Sequence, residues 1–256
     1  MTNISLFSPT KKVMINLAAA MLAVQLLNGC SLFTKEVEPI RSVEEYFDRG
    51  HNALNDSSWD EAIKEFEKLR SVYPYGSWSE QASLELAYAY FRNNEPQSAV
   101  RELEEFIRMY PRHPRLPYAM YLKGMAREST TRSFLDSYIS DPARRDSEPI
   151  RQAYQDYLNL IQRFPNSEYA DDAKLRLVRL RNNLARHELQ VAEFYVERAA
   201  WLAAAKRAQY VLENYPQTVS SQRALQIMAK AYDELKLDAS ADEVKQVMQL
   251  NKITAP

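Results

Sequence analysis

Cysteine and glycine are scarce in this 256-residue chain, which has one cysteine, Cys30, and four glycines, Gly29, Gly50, Gly76 and Gly124. A single cysteine leaves no intramolecular disulfide and no multi-cysteine metal site. The sequence contains no glycine-rich phosphate loop and no G-x-S-x-G nucleophile turn. The three histidines, His51, His113 and His187, are far apart. His187-Glu188 opens like the zinc-protease pattern HExxH, but Val191 stands where the second histidine would be. No metal, no cofactor and no catalysis are therefore expected. Acids are missing before Glu36, and the net charge is only −1, so no basic field directs the chain to nucleic acid.

What is present favours helix: Leu, Ala, Glu, Arg, Lys and Gln dominate. The one long apolar run, Val13–Leu27, follows Lys11 and Lys12 and is shorter than the roughly 20 residues that span a membrane. A positive start, a short apolar stretch and a small residue at its end make a secretory signal. Leu27-Asn28-Gly29-Cys30 at its end resembles the lipobox of bacterial lipoproteins. That resemblance implies diacylglycerol on the Cys30 sulfur, cleavage after Gly29 and an acyl chain on the new amine. The acyl groups would be the chain's only non-protein component, and several acyl chains hold a membrane where one is marginal. Ser31, where an aspartate would resemble an inner-membrane retention signal, points to the periplasmic face of the outer membrane. The alternative is a stray cysteine behind an ordinary signal peptide. Without residues 1–29 the chain carries 31 bases and 34 acids.

Four aromatic–proline pairs follow: Tyr73-Pro74, Tyr110-Pro111, Phe164-Pro165 and Tyr215-Pro216. Proline cannot continue a helix, so each pair marks a stop. Thirteen residues after three of these prolines come Ala87, Gly124 and Ala229; twelve before all four come Ala62, Ala99, Ala153 and Ala204. Ala241 repeats the spacing once more. The pattern resembles the 34-residue tetratricopeptide repeat, a helix A–turn–helix B unit with small residues where the two helices touch. The fold class expected is all-α, a solenoid of five such units. Ser42…Glu45, Ser58…Glu61, Ser77…Glu80 and Ser240…Glu243 fit the helix capping box. Trp59 and Trp201 stand at the same place in their units and are expected to close the A–B turn.

Two units are longer than the rule. The third carries seventeen extra residues within Thr131–Pro149, expected as a polar loop. The fourth carries fourteen before Ala192, close to four helical turns, so Ser167–Val196 is expected as one long helix that projects from the array or bridges its halves. Its basic segment, Lys174–Glu188, reads either as an exposed helix with an apolar seam or as a docking face. The organisation expected is a signal over 1–29, a tether over 30–41, units 1–3 over 42–165 and units 4–5 over 166–256.

In such arrays the A helices line the inner groove. On that face units 1–3 present Phe47, His51, Leu84, Tyr88, Phe91, Tyr118, Tyr121 and Met125. About half of these are expected to pack between neighbouring helices. The rest would suit an extended peptide with aromatic side chains. Tetratricopeptide grooves that grip a peptide's terminal carboxylate use lysine and asparagine at several of these places; here they are mostly aromatic or aliphatic, so that mode is not expected.

The stretches 46–76 and 164–201, with the lipobox, the loop and the lengthened helix, resemble the BamD (ComL) family of outer membrane protein assembly factors. The resemblance implies a lipoprotein of the β-barrel assembly machinery that binds the barrel subunit BamA through its periplasmic domains. It further implies contact with smaller lipoproteins of the complex and capture of the C-terminal strands of unfolded barrel substrates by the N-terminal units. Arg198, in the A–B turn of unit four, matches a family arginine and is expected to help dock the barrel subunit. The alternative is a generic periplasmic scaffold lipoprotein of the cell envelope.

Overall fold

The computed structural model describes residues 39–130 and 147–254. The signal segment, Cys30, most of the tether and most of the third-unit insertion lie outside the described residues.

Ten helices, among the described residues, pair as five A–B units. Unit 1 is α1 (Val43–Asn55) and α2 (Trp59–Val72), and unit 2 is α3 (Ser77–Arg92) and α4 (Pro96–Met109). Unit 3 is α5 (Leu116–Ser129) and α6 (Glu148–Arg163). Unit 4 is α7 (Ala170–Val196) and α8 (Trp201–Asn214), and unit 5 is α9 (Ser220–Glu234) and α10 (Asp238–Leu250). Each helix packs on the next in chain order, and α1 also packs on α3, α3 on α5 and α7 on α9. This A-on-A stacking is what the tetratricopeptide period demands.

Each B helix of the first four units ends where the sequence places its stop. Tyr73, Tyr110, Phe164 and Tyr215 take φ between −136 and −122°, because the following proline disfavours helical geometry at the residue before it. The A–B turns close differently. Ser57, Asn94, Ala199 and Lys236 adopt left-handed backbone with φ of 54–60°. The amide of the following residue reaches back into the A helix: Ser58 to Ala53 O at 2.8 Å, Glu95 to Tyr90 O at 2.9 Å, Ala200 to Tyr195 O at 3.0 Å and Leu237 to Tyr232 O at 2.9 Å.

That backbone closure corrects the expected caps. Only Ser42 behaves as expected, its hydroxyl accepting from the Glu45 amide at 3.2 Å. Ser58 makes no side-chain cap, Ser77 lies inside α3 behind Gly76 (φ 99°), and Ser240 lies inside α10. The long helix begins at Ala170 rather than Ser167, since a turn in which Ser167 N–H bonds Phe164 O and Ala170 N–H bonds Ser167 O precedes it. Its 27 residues span about 40 Å. It does not project: buried side chains run along it from Ala170 to Ala192, and it packs on α6, α8 and α9. At the end of the insertion, Glu148 and Pro149 open α6, with proline in the first turn where its missing N–H costs nothing.

The interior shows why the small residues recur. A Cβ on Gly50 would lie 2.7 Å from Phe66 Cε1, and one on Gly124 would lie 2.6 Å from Tyr157 Cε1. Both rings are fully buried. Where the A helix carries alanine instead, the equivalent B position holds a non-aromatic residue: Leu103 opposite Ala87, and Ala208 opposite Ala192. Glycine therefore makes room for a ring, and alanine meets a smaller partner. Apolar packing is continuous from Leu116 in unit 3 to Met248 in unit 5, while units 1 and 2 and helix α5 share two smaller clusters. A boundary at residue 165 thus runs through one apolar core, and 42–256 forms one compact unit.

Candidate functional site

Of the groove residues expected from sequence, two are withdrawn into the core. Phe47 is 6% exposed, its ring 5.0 Å from Trp78 and 5.8 Å from Phe66 between α1, α2 and α3. Leu84 is 1% exposed and packs with Leu103, Phe106 and Leu122. Both stand three residues before the small residue of their A helix and are covered where α1 stacks on α3 and α3 on α5; Tyr121, at the same place in α5, is only partly covered. His51 stacks on Phe47 at 6.0 Å and stays exposed.

The other five, Tyr88, Phe91, Tyr118, Tyr121 and Met125, are half-buried. Their inner atoms pack on the core while their outer edges stay open. Tyr118 and Tyr121 converge on a ring that no A helix carries. Tyr169, in the turn just before α7, lies 5.8 Å from Tyr118 and stacks on Tyr121 at 5.1 Å with an interplanar angle of 24°. Its signal in the sequence was its spacing, four residues after Pro165 as Trp78 is four after Pro74. Arg115 lies over Tyr118 at 5.2 Å and 3.7 Å from Glu85. At the other end Trp59 meets Tyr88 edge-on at 6.3 Å. Trp59 is therefore a contact to the next unit as well as a turn residue. The strip that results is aromatic, half-open and fixed in orientation. Burial raises the Tyr118 hydroxyl above the ordinary phenol range, with Glu85 adding to the shift.

Beside this strip lies a polar joint between units 3 and 4. The Tyr121 hydroxyl donates to Asp172 Oδ2 at 2.5 Å, and Arg176 Nε donates to the same oxygen. Those two hydrogen bonds hold the Asp172 carboxyl below its usual range. Arg176 also reaches Glu128 at 2.9 Å, where Arg179 (2.5 Å) and the Tyr157 hydroxyl (3.3 Å) converge. Glu128 is 5% exposed, and these donors offset the cost of burying it. A second buried carboxylate, Asp156, is 2.7 Å from both Lys123 and Arg127; burial raises it and the two cations pull against that shift.

Arg198 lies on the far side of the A–B turn of unit four. Its guanidinium sits 3.5 Å from the Phe194 ring centroid, donates to Phe194 O at 3.0 Å and lies 3.7 Å from Glu197. The strained left-handed Ala199 follows it. Phe194 and Glu197 also line an open cleft of about 520 Å³ along α7. Among the described residues no group of three His, Cys, Asp or Glu side chains is placed to hold a metal ion. No helix of the described residues is long and apolar enough to cross a membrane.

Residues 40–247 match the YfiO outer membrane lipoprotein family. The chain belongs to this family. Among its relatives is the outer membrane protein assembly factor BamD of Vibrio cholerae, 37% identical over 236 residues, covering 92% of this chain and 98% of that protein. The factor of the same name from Xylella fastidiosa is 38% identical over 248 residues, covering 96% of this chain and 83% of the relative. A solved tetratricopeptide repeat protein from Parabacteroides merdae is 11% identical and covers 84% of this chain and 80% of its own, at a TM-score of 0.39. The repeat assignment rests on the helix pairing and the glycine–ring contacts described above.

Proposed function

We propose that this chain is the lipid-anchored adaptor of a β-barrel assembly machine, without catalysis of its own. Cys30 would carry the diacylglycerol and N-acyl groups that fix it to the periplasmic face of the outer membrane. The half-open strip of Tyr88, Phe91, Tyr118, Tyr121, Met125 and Tyr169 would hold the C-terminal strand of an unfolded barrel protein. Units 4 and 5, with Arg198, would dock the periplasmic domains of the barrel subunit BamA, and smaller lipoproteins of the complex would join them. Family membership supports the assembly role, and the relatives named above carry that role in their names.

The observation that carries the groove is the orientation of its rings. Aromatic side chains that keep one edge open and lose few rotamers on binding supply contact area at low entropic cost. An extended peptide presents alternate side chains to such a surface. The test is fluorescence anisotropy of a labelled peptide taken from the last strand of an outer membrane barrel. Tyr88→Ala with Phe91→Ala should weaken binding by about tenfold or more, the loss typical of a central aromatic contact. Unchanged affinity in a folded variant removes the groove assignment.

A further inference from the structure

Among the described residues five arginines lie over aromatic rings: Arg92, Arg115, Arg163, Arg176 and Arg198. Three of them also meet a carboxylate: Arg115 with Glu85, Arg176 with Glu128, and Arg198 with Glu197. Arg92 and Arg163 do not, among the described residues. Arg163 closes α6 beside Phe164 and Met120. Arg92 lies in the last turn of α3, on the helix that carries Tyr88 and Phe91.

The Arg92 guanidinium is held firmly. It lies 4.4 Å from the Trp59 ring centroid and 5.6 Å from that of Tyr88, and one nitrogen donates to the Tyr88 hydroxyl at 2.6 Å. Arg92 is exposed, and its other nitrogens meet no acceptor among the described residues. Asp60 and Glu95 at the same turn both accept from Asn93 Nδ2, at 2.9 Å each. Trp59 is also the first residue of α2, whose cap position, Ser58, makes no side-chain hydrogen bond. A planar fork with fixed orientation and unused donors is pre-organised to accept a carboxylate by two parallel hydrogen bonds.

We infer that Arg92 receives the terminal carboxylate of the peptide bound in the groove, with Tyr88 and Phe91 taking that peptide's last side chain. The inference rests on the groove reading. Arg92 offers a single cation with a planar fork, which suits a singly charged carboxylate better than a phosphate carrying more charge. The carboxylate fixes the register of the strand, because the peptide's end, rather than any internal residue, must meet the arginine.

The test compares two labelled peptides of one sequence ending in phenylalanine, one with a free terminal carboxylate and one amidated, titrated against the wild-type protein. The free acid should bind about tenfold more tightly, the scale of one charge-assisted hydrogen bond. Arg92→Gln should bind both peptides alike and at the affinity of the amide, and Arg92→Lys should recover only part of the preference. Equal binding of acid and amide by the wild type overturns the inference and leaves the groove standing. So does an acid preference that survives in Arg92→Gln, or displacement of the acid peptide by millimolar inorganic phosphate. Failure of both peptides to bind the wild type removes the groove and the inference together.

Discussion

Replacing Gly50 with alanine tests the packing rule on which the repeats rest. The new Cβ would lie 2.7, 2.8 and 3.0 Å from three carbons of the Phe66 ring. That ring is fully buried, flanked by Phe47 at 5.8 Å, so it has nowhere to retreat. Overpacking of this kind costs about 1–3 kcal/mol. Alanine returns about 0.5–1 kcal/mol through helix propensity in α1. A net loss of about 1–2 kcal/mol follows, and Tm should fall by about 2–4 °C for each kcal/mol in a chain of this size. The second unit shows the remedy, since Ala87 there packs in one cluster with Leu103 at the equivalent place. Phe66→Leu alone should lose about 1–2 kcal/mol by leaving a void. Added to Gly50→Ala, it should lose no more than it does alone, a coupling of about 1–2 kcal/mol between the two sites. Urea melts of the wild type, both single variants and the double variant, followed by far-ultraviolet circular dichroism, give the four midpoints. Additive losses, or a neutral Gly50→Ala, would refute the idea that glycine is present to admit the ring.

Ala199→Gly and Lys236→Gly should each stabilise by about 0.5–1 kcal/mol, because a non-glycine residue in left-handed geometry costs about 1–2 kcal/mol and glycine's own entropy returns part of it. The same urea melts read this. Glu128→Gln should destabilise by about 2–4 kcal/mol, since Arg176 and Arg179 would lose the buried anion on which they converge, and a folded variant with unchanged midpoint would contradict that burial. Asp172 has its folded pKa lowered by the Tyr121 and Arg176 hydrogen bonds, so its contribution is complete above the ordinary carboxylate range and is lost as pH falls through the folded value. Asp172→Asn should therefore shed less stability than the wild type between about pH 6 and pH 3, by a modest amount because the side chain is half exposed. Cys30→Ala should move the protein from the membrane pellet to the soluble periplasmic fraction, and retention in the pellet would remove the lipid anchor from the account.

Much of this fold was legible in the sequence because two residue types with few roles marked it. Proline placed the B-helix ends, and the small residues placed the A–B contacts, with Gly50 and Gly124 opposite aromatic rings. Caps were less legible. Ser58 and Ser240 match the capping pattern, yet the A–B turns are closed by backbone hydrogen bonds around left-handed residues, for which Ala199 and Lys236 give no compositional sign. The groove was half legible for a similar reason. Spacing assigns Phe47 and Tyr88 to the same helix face, but stacking of α1 on α3 buries the first and leaves the second at the edge. Tyr169 was missed because it stands in the turn before α7 rather than on a helix face, and only the close approach of α5 to that turn brings it onto Tyr121. Arg92 was hidden as an ordinary helix-end cation until Trp59, from the preceding unit, was seen beneath it.

The central claim is that this chain works inside an outer membrane assembly complex. Its most direct test is a detergent pull-down of the full-length protein from outer membranes, with the co-purifying proteins identified and their stoichiometry counted. The account predicts a near-equimolar β-barrel protein carrying periplasmic domains, together with smaller lipoproteins. Recovery of only peptidoglycan-linked or inner-membrane proteins would contradict it.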